Sequence, residues 1–137
     1  MKEYRRIGPD HAKTILMVGT DDMAGTNLLR SIQKETPYHV ARAFTGEQAI
    51  EFIGMSKVDL MVLGSYLPDT TELNLYDKAA KTNGQQHIPT ILLNAHLSQK
   101  ELLYRNIICL TAPLTWDHFL QTLDTLLLFP QCPVAAV

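Results

Sequence analysis

Few side chains in this chain have the type and spacing for chemistry. Asp21 and Asp22 stand together in "VGTDDMAGTN" (Val18 to Asn27). Two adjacent carboxylates could offer hard oxygen ligands to a cation. They could equally cap a following helix, accepting its unpaired N–H groups and complementing its dipole. Capping is the favoured reading. Ser65 and Asp69 lie in "GSYLPD" (Gly64 to Asp69). Ser65 has no base or cation beside it, so it reads as an ordinary loop hydroxyl and not a nucleophile. Asp69 follows Leu67 and Pro68 and suits a turn. His11, His39, His87, His96 and His118 are scattered, and no two share a helix face at ligand spacing. His96, at the end of an apolar run, is the best placed of the five and still reads as a surface histidine. Cys109 and Cys132 form no CxxC pair and no zinc-type cluster. Cys109 sits in an apolar run and is expected to be a buried structural thiol in a reducing, cytoplasmic setting. No nucleophile–base pair is visible, so an enzyme is not expected.

The elements that would position these residues are legible from apolar runs. "TILMVG", "VDLMVLG" and "IPTILLNA" are strand-length and largely unbroken, as in strands buried on both faces of a parallel sheet. "YHVARAF" and "IICLT" complete five strands. Helical segments alternate with them. The first carries Leu28, Leu29 and Ile32 as its inward stripe and ends at Thr36 and Pro37. "TGEQAIEFIGM" has Thr45 as a cap and Ala49, Ile50, Phe52 and Ile53 as its stripe. "LPDTTELNLYDKAAKTNG" stops at Asn83 and Gly84. "SQKELLYR" is a short helix capped by Ser98. "PLTWDHFLQTLDTLLLF" places Trp116, Phe119, Leu120, Leu123, Leu126 and Leu127 at helical spacing, and Leu128 and Phe129 extend the apolar surface at its end.

Strict alternation of strand and helix predicts an α/β fold with a parallel sheet and helices on both faces. A site in such a fold lies beyond the carboxyl ends of the strands. Residues 1–13 are expected to be a flexible lead-in, 14–129 one domain, and 130–137 a tail. With 137 residues, 46% of them hydrophobic, the chain is long enough for a proper core. The net charge of −2 gives no electrostatic footprint for nucleic acid or an anionic membrane. No apolar run has the length of a membrane span, and "MKEYRRIGPDHAK" lacks a signal-peptide core.

Taken in order and spacing, "ARAFTGEQAIEFI", "VDLMVLGSYLPDTTELNL", "IPTILLNA" and "LTAPL" resemble the receiver domain of two-component response regulators over about residues 14 to 129. The resemblance implies a flavodoxin-like (βα)5 three-layer sandwich with a sheet of order 2-1-3-4-5. In that family an aspartate at the end of the third strand takes a phosphoryl group with the help of Mg²⁺. An acidic pair, a Thr or Ser and a Lys assist.

The resemblance also implies a depleted pocket here. Gly64 aligns with the acceptor aspartate, Ala112 with the lysine, and Asn94 with the hydroxyl residue. The acidic pair falls on Gly19 and Thr20 or on Thr20 and Asp21, with Asp22 beside it. Glu72 replaces the usual glycine after the loop. Cys109 replaces the switch aromatic of the fifth strand. Asn94 to Pro113 is about four residues shorter than the family interval, so the fourth helix is expected to be short or irregular. No Mg²⁺ and no other cofactor are expected.

In the family, partners and dimers use the surface of the fourth helix, fifth strand and fifth helix. Here that face would include Leu102, Tyr104, Cys109, Trp116, Leu128 and Phe129. The expected function is a phosphorylation-independent module that binds a protein partner or a second copy. The alternative is a flavin or nucleotide binder using the Gly- and Thr-rich loop after the first strand. Against it, Asp21 and Asp22 would repel phosphate, and no GxGxxG or GxxxxGK[ST] pattern is present.

Overall fold

The computed structural model describes residues 13–19, 23–64, 67–84, 86–93, 97–102, 105–111 and 114–128, those at 23 and 24 by backbone alone. Its elements run β1 (Thr14–Val18), α1 (Met23–Glu35), β2 (His39–Ala43), α2 (Gly46–Met55), β3 (Leu60–Leu63), α3 (Glu72–Thr82), β4 (Thr90–Leu93), α4 (Gln99–Leu102), β5 (Ile107–Leu110) and α5 (Trp116–Leu128).

The five strands form one parallel sheet in the order β2-β1-β3-β4-β5. Val18 at the end of β1 is in register with Ala43 of β2 on one side and Leu63 of β3 on the other. Leu63 also pairs beside Leu92 of β4, and Leu92 beside Cys109 of β5. The unbroken apolar runs are the inner strands, as expected. Every residue of β3 and β4 is buried, and all of β1 but its first.

Alternate strand residues feed two cores, because successive side chains point to opposite faces. Ile15, Met17, Leu60, Val62 and Ile91 face α1 and α5, meeting Ile32, Phe119, Leu123, Leu126 and Leu127. Leu16, Val18, Met61, Leu63 and Leu92 face the other way, toward Ala49 and Ile53 of α2 and Leu75, Tyr76 and Ala79 of α3. This gives the three-layer sandwich.

Helix ends follow local chemistry. The Thr45 hydroxyl accepts from the Gln48 amide at 3.1 Å, and Gln48 Oε1 accepts from the Phe44 amide at 2.8 Å. Thr71 caps α3 the same way, accepting from the Asn74 amide at 3.2 Å. Gly84, with φ of 69°, ends that helix in the left-handed region. Thr36 closes α1, its hydroxyl donating to the Ile32 carbonyl at 2.6 Å. The fourth helix is short, as expected, with only four residues. The expected caps Asp21 and Asp22 lie outside the described residues. Among the described residues no helix is long and apolar enough to cross a membrane.

Cys109 departs from expectation. It is half-buried, because β5 is an edge strand whose middle two residues are not fully covered.

Candidate functional site at the carboxyl edge of the sheet

The carboxyl ends of β1 and β3 lie side by side at the centre of the sheet. The chain leaves β1 through Gly19, whose φ of 77° lies in the left-handed region that favours glycine. Gly19 N–H donates to the Ala43 carbonyl at 3.0 Å, and Gly64 N–H donates to the Val18 carbonyl at 2.9 Å. Both amides are therefore used by the sheet and are not free to cradle an anion. Gly64 is buried where it follows β3. It brings neither a nucleophile nor an oxygen side-chain ligand to the edge.

Beyond Gly64 the described chain resumes at Leu67, which turns inward and joins the α2/α3 core. Asp69 does not merely shape the turn before α3. Its carboxylate accepts from the amides of Gly46 at 2.8 Å and Glu47 at 3.0 Å, so it caps α2 from a loop some twenty residues downstream. The Gly46 amide, with further backbone amides and Lys78 in lesser roles, holds the Asp69 carboxyl below its ordinary range. Gly46 leaves space for the neighbouring Thr70: a Cβ there would sit 2.5 Å from Thr70 Cγ2. The Gly at this position was visible in the sequence; the carboxylate that its amide binds was not.

Arg42 is a second feature that the sequence did not single out. It sits on β2 with Nη1 donating to Thr26 Oγ1 of α1 at 3.3 Å. Its guanidinium lies 5.1 Å from the centre of the Phe44 ring, and that ring is 45% exposed.

Of the pocket residues read from the sequence, Gly19 and Gly64 are brought to the same edge. Thr20, Asp21, Asp22, Asn94 and Ala112 lie outside the described residues, as do Ser65 and His96. Glu72 is the first residue of α3. Among the described residues no group of three His, Cys, Asp or Glu side chains could hold a metal ion.

The candidate interaction face flanks β5 on both sides. Leu102 and Cys109 pack on the α2/α3 side. Trp116 packs on the α1/α5 side, its ring 6.0 Å from that of Phe119. Leu128 is 58% exposed at the far end of α5, about 18 Å along the helix from Trp116. Tyr104 and Phe129 lie outside the described residues. Burial raises the Cys109 thiol above its ordinary pKa, which makes it a poor nucleophile at neutral pH.

With this geometry in place, solved structures supply the comparison. A two-component response regulator from Clostridium difficile superposes with a TM-score of 0.70 at 20% identity, covering 88% of this chain and 99% of the other. The fold is the receiver fold. A CheY-like response regulator receiver domain from Methanospirillum hungatei matches with a TM-score of 0.68 at 21% identity, over 85% of this chain and 94% of its own. A further match, with a TM-score of 0.69 at 17% identity, covers 88% of this chain and 92% of the other. It comes from the Saccharomyces cerevisiae co-crystal of the histidine phosphotransfer protein Ypd1 with the receiver domain of its downstream response regulator Ssk1. No protein-family model matches the chain, and no curated protein matches it. At identities of 17–21% the likeness is one of fold.

Proposed function

We propose that this chain is a receiver-fold signalling module, of the two-component type, that works by binding a protein partner or a second copy without being phosphorylated. The observation that carries the reading is Gly64. It follows β3 directly, is buried, and is bonded to the end of β1, at the place where the family resemblance expects the acceptor aspartate. A glycine cannot form an acyl phosphate, and it removes one of the oxygen ligands a Mg²⁺ ion would need. Ala112 in place of the assisting lysine and Asn94 in place of the hydroxyl residue point the same way. The intact sheet and two full cores argue that the framework is in use and not decaying. A protein partner is the natural ligand for such a framework. In one of the similar structures a receiver domain is seen with the phosphotransfer protein Ypd1. The reading places the protein in the cytoplasm, with no Mg²⁺ or other cofactor and no catalytic step of its own.

The test is direct. The protein is incubated with acetyl phosphate and Mg²⁺ beside a phosphorylatable receiver as control, and the intact masses are compared. The control gains a phosphoryl group and this protein does not. Beryllofluoride with Mg²⁺ likewise leaves its amide NMR spectrum unchanged. Stoichiometric, acid-labile phosphorylation would overturn the proposal.

A further inference from the structure

The fourth helix, Gln99–Leu102, is a single turn and contains no fully buried residue. A helix this short does not hold itself in water, because nucleation fixes several residues for one hydrogen bond. Contacts beyond its own turn hold it instead. At its start the Ser98 amide donates to Glu101 Oε1 at 2.8 Å, and the Glu101 amide donates to Ser98 Oγ at 3.1 Å, a reciprocal capping box. At its end Arg105 closes it. The Arg105 amide donates to the Leu102 carbonyl at 3.0 Å, and Nη1 donates to the Glu101 carbonyl at 2.6 Å.

The same guanidinium reaches across to α3. Nη2 donates to Asp77 Oδ2 at 3.0 Å and Nε to Asp77 Oδ1 at 3.3 Å, a two-pronged pair. The next residue is tied to the same helix, the Asn106 amide donating to the buried Tyr76 hydroxyl oxygen at 2.7 Å. One side chain therefore both finishes α4 and fastens it to α3. The pair is not sealed from water: the Arg105 and Asp77 side chains are 25% and 46% exposed.

The turn also packs through apolar side chains, its own Leu102 and the neighbouring Leu97. Leu97, Leu102 and Cys109 are partly buried against the α2/α3 core. Burial is the main cause that raises the Cys109 thiol, and the Leu97 backbone and the Glu101 charge act on it in lesser roles. An element with few buried contacts and water-accessible polar ties belongs to the part of a structure that opens first.

We infer that α4 is a locally opening element whose closed form is set by the Arg105–Asp77 pair, and that its opening lifts Leu97 and Leu102 off the α2/α3 core and uncovers the β5 edge at Cys109. The inference concerns the chain's own equilibrium and stands apart from the reading of Gly64. Phosphorylation at the sheet edge would leave it intact, and its failure would leave that reading intact.

Cys109 reports the opening. In the full chain carrying Cys132→Ser, Cys109 is the sole thiol, and its rate of reaction with N-ethylmaleimide is followed without denaturant. Asp77→Ala is expected to label about threefold faster, the scale of a half-exposed ion pair. Arg105→Gln, which also loses the Glu101 carbonyl contact, is expected to label about tenfold faster. Asp77→Ala should leave the urea midpoint unchanged or slightly raised, because alanine suits a helix better than aspartate. Added salt should speed labelling of the parent and leave Asp77→Ala unaffected. Amide exchange across residues 99–102 should accelerate in the same order. Equal labelling rates in the parent and both variants would overturn the inference. So would labelling that rises only in step with loss of global stability, since exposure would then come from whole-molecule unfolding.

Discussion

Replacing Tyr38 by phenylalanine removes one hydroxyl and leaves the ring in place. That hydroxyl donates to Asp124 Oδ1 at 2.6 Å, linking the entry to β2 with α5 across 86 positions of chain. A hydrogen bond to a carboxylate contributes about 1.5–3 kcal/mol when well sheltered. Both side chains here are half-buried, so water takes over part of the lost contact and the expected cost falls to about 1 kcal/mol. The ring keeps its packing beside the α1/α5 core, so no cavity adds to this. For a domain of this length the shift in Tm is about 4 °C. Urea unfolding of Tyr38→Phe, Asp124→Ala and the double variant measures the coupling directly.

The pH dependence follows from the phenol. Burial first, then the bond to Asp124 and its charge, push the Tyr38 pKa well above its ordinary value. The folded pKa is raised, so the stabilisation is whole below the unfolded tyrosine value of about 10 and is lost as pH rises beyond it. The gap between parent and Tyr38→Phe should be flat from about pH 6 to 9 and shrink above about pH 10. A gap under about 0.3 kcal/mol at neutral pH, strict additivity with Asp124→Ala, or a gap that widens at alkaline pH would refute the reasoning.

Two glycines of α2 should respond in opposite directions to alanine. Gly46→Ala drives a Cβ to within 2.5 Å of Thr70 Cγ2, forcing the Thr70 side chain beside Asp69 to shift, and should cost about 1 kcal/mol in urea unfolding. Gly54→Ala meets only Thr82 Cγ2 at 3.8 Å and should stabilise by about 0.5–1 kcal/mol through helix propensity. Phe119→Ala, at a fully buried position of α5, should cost about 3–5 kcal/mol by the same measurement.

What was legible in the sequence was whatever depends on near neighbours. The apolar runs of β1, β3 and β4, the Thr45 cap and the Asn83–Gly84 stop all act within a few residues. So does the Ser98 cap of the short fourth helix. Asp69 and Arg105 were not legible in their roles. Their partners lie 22–28 positions away and are brought close only by the crossovers. Cys109 misled for a related reason. "IICL" has the letters of an interior strand, but exposure is decided by its place at the sheet edge, a property of strand order and not of the strand itself. At the site, Gly19 and Gly64 were correctly read as strand-end positions, because the ends of apolar runs are local features.

The one-turn α4 also bears on how the chain folds. Thr90 of β4 pairs beside Ile107 of β5, whereas Ile15 of β1 pairs beside Leu60 of β3. The first closure spans about 17 positions and the second about 45, a difference in closure entropy of roughly 0.9 kcal/mol. The β4–β5 pair thus closes at a lower entropic cost than the central β1–β3 pair, with about 0.2 kcal/mol of the difference coming from the trimmed crossover. The order of assembly would then begin at an edge of the sheet, and variants along β4 and β5 would slow folding, while those along β1 would mainly speed unfolding.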